Sequence, residues 1–216
     1  MKPNLGHAVL AMALIAVAAW WWSTRDQRAP TAASASSASV CPLPPRVARG
    51  GAPLQSDAPA SLSLFVVDQY TLQPLAGFSI DARVLSRENY RMGREADLSP
   101  TDLALGWNRM ADDAVLSAMS ISQGGRFFYW RTPGEPPIPV PEITRSATNA
   151  HLIPADDAVA RALAAVRKDE RVRIDGWLVE ARATDGWHWR SSLSREDSGA
   201  GACELIYVCA IERAPL

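Results

Sequence analysis

Apolar and polar positions divide this chain into three stretches with different rhythms. From Ala8 to Trp22 it reads AVLAMALIAVAAWWW, fifteen residues without a charge. At 1.5 Å per residue that run, extended to include Leu5, Gly6 and His7, spans roughly 22 to 27 Å, slightly short of a hydrocarbon core. Such a run is either a single membrane-spanning helix or the apolar part of a secretory signal. Trp20, Trp21 and Trp22 stand where an aromatic belt sits at the headgroups, and no small residues follow directly to suit a signal peptidase. An uncleaved anchor over residues 8–23 is therefore expected. Lys2 and the α-amino group balance Arg25 and Arg28, but the short tail, residues 1–7, predicts a cytoplasmic N-terminus. The remainder would then lie in the periplasm of a Gram-negative cell, tethered to the inner membrane by one pass.

Residues 24–60 are rich in Ala, Ser, Pro and Gly, with TAASASSASV, PLPP and RGGAP among them. A stretch so poor in large apolar side chains buries too little surface to offset its ordering entropy, so a flexible linker is expected. Residues 61–216 are then one soluble domain.

Within that domain, LSLFVV (Leu62–Val67) and the alternation of Phe78, Ile80, Ala82 and Val84 with polar neighbours predict strands, separated by a turn at Pro74 and Gly77. Ser99-Pro100-Thr101-Asp102 has the makings of a short helix start, with a further helical turn from Asp112 to Met119. RFFYWR predicts a strand, and the proline-rich TPGEPPIPVP after it an extended or edge segment. Asp156 and Asp157 open the best helix, with Val159, Leu163 and Val166 on one face. Val172–Ala183 and Trp187–Leu193 flank Asp185-Gly186, a type I′ hairpin signal, and Cys203–Ile211 predicts a last strand. Five or six strands with few helices predict an α+β domain built on a small, partly closed β-barrel of the OB or SH3 kind.

Charge narrows the choice of partner. Lys plus Arg total 22 against 23 Asp plus Glu, and a near-neutral surface does not grip phosphate backbones by field alone. No nucleic acid is expected as a partner.

The segments RVLSRENY, DLALGW, HLIPADDAVARAL and SSLSREDSGAGACELIYV resemble a group of membrane-tethered bacterial proteins without an assigned activity. The resemblance runs from about Phe78 to Val208. It implies the anchored class and carries over no catalytic residue or cofactor.

Candidate chemistry is sparse. The three cysteines include Cys203 and Cys209 on one strand, where six residues at about 3.3 Å set them near 20 Å apart, too far to bridge. Both are expected as buried free thiols, and Cys41 as an exposed linker thiol able to pair between two chains. His188 alternates with Trp187 and Trp189, which turns it towards Arg190 and Ser192 in a surface cluster of these five residues. Ser191 or Ser192 with His151 or His188 and Asp185 or Asp197 supplies the residue types of a hydrolase. No motif fixes their geometry. The SREDSGAGACE loop reads as a turn, and no pattern implies a cofactor or metal. The expected function is a non-enzymatic binding or accessory module of the envelope, with another envelope protein as possible partner. The alternatives are an envelope hydrolase using His151 or His188, and an OB-like single-stranded nucleic-acid binder stacking bases on Trp177, Trp187 and Trp189.

Overall fold

The computed structural model describes residues 41–199 and 201–214. The expected tail and anchor, and the linker up to residue 40, lie outside the described residues. Among the described residues no helix is long and apolar enough to cross a membrane.

The domain is α+β, one large sheet with a few short helices, as expected. Strands β1 (Leu54–Asp57), β2 (Phe65–Val67) and β3 (Tyr70–Asn89) are followed by helix α1 (Arg94–Leu98) and β4 (Thr101–Gly106). A 3-10 turn (Asn108–Ala111) and helix α2 (Asp113–Leu116) lead into a separate hairpin of β5 (Ser120–Gly124) and β6 (Phe127–Arg131). Then come α3 (Val140–Arg145), β7 (Ala147–Pro154), α4 (Asp157–Ala164), β8 (Arg171–Arg182), β9 (His188–Arg190) and β10 (Glu204–Ala214).

The long β3 does double duty. Residues 71–83 pair with β8, and residues 83–89 with β4. β4 pairs with β7, β7 runs parallel to β10, and β10 returns antiparallel to β8. The pairings thus close a circuit through five strands. Phe78, Ile80, Leu103, Leu152, Ile174 and Ile206 fill its interior, where α4 adds Val159 and Leu163. The amphipathic face read from the sequence is what α4 buries, and Asp156 caps it by accepting from the Val159 N–H at 2.8 Å.

A second apolar cluster covers the outside of β7, β8 and β10, with Ile153, Trp177, Val179, Leu205 and Tyr207 packed against Phe65, Trp187 and Trp189. Strands buried on both faces lose the simple alternation that a one-sided sheet shows. Thr101–Gly106 is buried at every position, and this defeats the expected helix start at Ser99. Pro100 drives the residue before it out of the α region, and Ser99 sits at φ −128°, ψ 85° as the end of α1.

Pro74 and Gly77 make no turn. Pro74 lies within β3 beside a register shift between Pro74 and Ala76, where a ladder tolerates a residue without an N–H. Gly77 admits a close approach by the preceding chain: a Cβ there would stand 2.4 Å from Ser56 Oγ and 2.8 Å from Pro44 Cβ.

That approach corrects the linker boundary. Residues 41–60 are bound to the sheet: Trp177 Nε1 donates to Pro42 O at 2.9 Å, Arg46 pairs with the buried Asp175 at 2.7 Å, and β1 pairs with β3. Composition hid this, because the strap is held by its backbone, one arginine and one cysteine rather than by apolar mass. The hairpin at Asp185-Gly186 forms, but not as type I′. Only Gly186 of the two has positive φ, at 91°, and Gly186 N–H donates to Ala183 O. This matches a type I turn followed by a left-handed glycine.

Gly176 is the position where added bulk has the least room. A Cβ would stand 2.1 Å from the Tyr207 carbonyl oxygen and 3.1 Å from Val208 Cα, both backbone atoms of β10. Gly176→Ala is expected to lower unfolding free energy by about 1–3 kcal/mol or more in denaturant titrations. An unchanged midpoint would mean that β8 and β10 are not packed this closely.

Candidate functional site

The densest polar cluster lies on the outer face of the large sheet, over β4 and β7. Asp102 points outward from β4, opposite the inward Leu103, and is fully buried; Asn149 and His151 come from β7 with 2% and 3% exposure. Three connections close over them. The β5–β6 hairpin delivers Arg126, the segment after β3 delivers Tyr90 and Ser99, and β9 delivers Trp189.

Arg126 organises the cluster. Its Nη1 donates to Asp102 Oδ1 at 2.7 Å and to Ser99 O at 2.9 Å, and its guanidinium lies 3.8 Å from the Tyr90 ring centroid. Its backbone N–H donates to Tyr90 Oη at 3.0 Å. Asn149 Nδ2 donates to Asp102 Oδ2 at 3.2 Å and to Arg126 O at 2.9 Å, while Gln123 Nε2 donates to Asn149 Oδ1 at 2.6 Å. His151 Nδ1 lies 2.9 Å from Asp102 Oδ2 but is not aligned as a hydrogen bond. Trp189 packs on the His151 ring with centroids 4.7 Å apart.

The five-residue surface cluster expected from sequence is divided. Trp187 and Trp189 turn inward, Trp187 against Tyr70 and Trp189 against His151. His188 is exposed on the other side of β9 with Arg190, which pairs with Glu180 at 2.5 Å. Burial alone would raise the Glu180 carboxyl, but its hydrogen bonds to Arg182 and Arg190 hold it below the usual range. Ser192 is buried apart from these and donates to Asp197 Oδ2 at 2.5 Å. The expected hydrolase types do not assemble either. Ser191 Oγ donates to Ser192 O and accepts from Leu205 N–H, Asp185 pairs with Arg94, and the carboxylate facing His151 is Asp102. His151 is thus a buried residue.

No group of three or more His, Cys, Asp or Glu able to hold a metal occurs among the described residues. Sequence reasoning passed over Asp102, Arg126 and Asn149. Gly124-Gly125 between two β-rich runs was the available signal for a hairpin tip at Arg126.

The thiols also need correction. Cys41 is bonded to Cys209, with Cα atoms 5.4 Å apart, so neither is free. Cys203 is the free cysteine. Burial first, then the Asp102 and Asp197 charges, push its thiol up to about 11, which leaves it protonated and weakly nucleophilic at neutral pH. The denatured, unreduced protein is expected to titrate one thiol per chain and to weigh two mass units less than the reduced chain, with a Cys41–Cys209 crosslinked peptide. Three titratable thiols in freshly isolated protein would remove the bridge.

Beside the cluster, a groove of about 180 Å³ opens between the hairpin and the loop before β10. Phe127, Phe128 and Trp130 of β6, Thr148 and Asn149 of β7, and Asp197, Ser198, Gly199 and Cys203 of the loop line it. No protein-family model, curated protein or solved structure matches the chain.

Proposed function

We propose that this protein is a membrane-anchored, non-enzymatic binding or accessory module of the bacterial envelope, with an OB-type barrel as its periplasmic domain. The barrel reading is supported by strand order: taken in chain order, β3, β4, β7, β8 and β10 follow one another round the circuit as 1-2-3-5-4. Only the third and fifth are parallel, and α4 lies between the third and fourth. In such barrels ligands are taken on the outer face of the second and third strands, between the connecting loops. The observation that carries the binding reading is that the hairpin, the segment after β3, β9 and the loop before β10 all gather over that face, leaving a groove beside a rigid polar network.

The periplasmic placement draws support from the Cys41–Cys209 bridge, since such bonds persist in oxidising compartments. The nucleic-acid alternative loses its stacking surfaces. Trp177 is buried, with its ring nitrogen committed to Pro42 O, and Trp187 and Trp189 pack inward. The hydrolase alternative retains one favourable observation, the approach of His151 to Asp102.

A photoreactive residue in place of the exposed Tyr129, at the rim of the hairpin, is expected to give a light-dependent adduct in the envelope of intact cells. The same substitution at His188 is expected to give none. Adducts from His188 alone would move the binding face. Loss of function on His151→Ala with an unchanged melting midpoint would favour the hydrolase. A reporter active only outside the cytoplasm, fused after Leu216, is expected to be active, and an inactive fusion would reverse the topology.

A further inference from the structure

We propose that the groove between the β5–β6 hairpin and the loop before β10 takes the arginine or lysine side chain of a partner polypeptide that lies extended along β6. This rests on the binding-module reading and names the chemistry of its ligand. Three features converge on it.

The first is charge. The groove lining holds one carboxylate side chain, Asp197, and no Lys, Arg or His, and the Cys203 thiol in it is pushed up to about 11. Asp197 is exposed, accepts from the Ser192 hydroxyl, and lies in the field of Arg195, whose guanidinium is itself paired with the buried Glu204. After burial itself, the charges of Asp102, which is paired with Arg126, and of Asp197 push the Cys203 thiol at the groove upward. Phosphate, carboxylate or nucleotide ligands would meet a like charge and no cationic partner in the lining.

The second feature is the aromatic lining: Phe127, Phe128 and Trp130 border the same groove as that carboxylate, with Phe128 and Trp130 partly buried against the core. Aromatic faces attract guanidinium and ammonium groups, more strongly where water is partly excluded. A volume of about 180 Å³ suits one long side chain, well below the roughly 300–1,000 Å³ of sites for drug-sized molecules.

The third feature makes the ligand a polypeptide. β6 pairs with β5 alone, so among the described strands its other edge is unpaired. An open edge beside a side-chain pocket is the arrangement by which an extended segment adds as a further strand. Its main chain supplies affinity, and alternate side chains supply specificity. Tyr129, half exposed on β6, offers the next contact along that edge.

The test uses the full chain in phosphatidylcholine nanodiscs and blocked five-residue peptides, Val-Thr-X-Thr-Val, bearing a fluorophore. X is arginine, lysine, citrulline, norleucine or glutamate, and binding is read by anisotropy. Arginine and lysine peptides are expected to bind at least about tenfold more tightly than the other three. Asp197→Asn and Phe127→Ala are each expected to reduce that preference to near unity, and added salt to weaken it. Unchanged melting midpoints show that the variants fold. Equal affinity for the arginine and citrulline peptides, or an arginine peptide indifferent to Asp197→Asn, overturns the cation assignment but leaves the binding module standing if Tyr129 still crosslinks in cells. No binding by any peptide overturns this inference. Asp197-dependent flotation with vesicles containing phosphatidylethanolamine, without peptide binding, would give the groove to a lipid amine and likewise overturn it.

Discussion

Replacing Cys41 and Cys209 together by alanine is expected to leave the fold in place and lower its unfolding free energy by about 2–4 kcal/mol. The bridge joins positions 168 residues apart, so it constrains nearly the whole unfolded domain. A chain-entropy estimate for a loop of that length gives about 5 kcal/mol, and measured bridges commonly deliver less. Native contacts of the strap do not depend on the bond. Arg46 still meets Asp175 and Glu212, Ser79 Oγ still links Val47 N–H to Asp175 Oδ1, and β1 still pairs with β3. For a domain of this size each kcal/mol moves the melting midpoint by about 2–4 °C, so a loss of roughly 4–16 °C is expected. Wild-type protein with dithiothreitol should match the double variant. Equal midpoints for oxidised and reduced wild-type protein would show that the bridge adds nothing to stability.

The same bond shows where sequence reasoning stops. Strand geometry was enough to keep Cys203 and Cys209 from bonding each other, because residues six apart on one strand have a fixed separation. Nothing local ties Cys41 to a residue 168 positions on, and the Ala, Ser and Pro around it read as linker. The C-terminal half was more legible. Val172–Ala183 is one long β-rich run, Asp185-Gly186 turns it, and Asp156 caps α4 as its position suggested, since each of these depends on neighbours within a few residues. β3 was harder. Its 20 residues contain Pro74 and Gly77, both of which normally punctuate, and it serves four partner strands, two of them through register shifts that only tertiary pairing reveals.

The outer-face cluster was less legible still. Asp102 looked like an acidic residue in a first helical turn, and Arg126 one arginine among many. Their meeting requires β4, a hairpin inserted after it, and β7 to come together. Burial on both faces of β4 erased the alternation that would have marked Asp102 as pointing outward from a strand. His151 fared similarly, because a strand buried on both sides gives no sign of which side carries the polar partner.

Arg126→Ala is expected to be the most damaging single change within that cluster, at about 3–5 kcal/mol, the range for breaking a buried ion pair by removing one partner. Its position is unfavourable in itself. Arg126 closes the two-residue tip of the hairpin with φ 72°, after Gly125 at φ 57°, and the left-handed region costs a residue with a Cβ about 1–2 kcal/mol. Side-chain contacts must offset that cost, and the strongest joins Asp102, which is fully buried, to a guanidinium that is 17% exposed. The asymmetry sets the order of effects. Removing Arg126 leaves a fully buried carboxylate without its guanidinium and with Asn149 Nδ2 as its remaining hydrogen-bond donor, whereas removing Asp102 leaves a cation that retains Ser99 O, the Tyr90 ring and some solvent. Asp102→Ala should therefore cost less than Arg126→Ala. Arg126→Gly should recover about 1 kcal/mol of the loss by relaxing the turn. Arg126→Lys should rescue poorly, since an ammonium neither stacks flat on Tyr90 nor presents the planar fork of donors. Combining Asp102→Ala with Arg126→Gly should cost less than the sum of the two, by about 0.5–3 kcal/mol. Unfolding midpoints in urea for the five variants test the order. Additivity within about 0.5 kcal/mol, or an Arg126→Gly protein as stable as the wild type, would show that the hairpin tip is not held by Asp102.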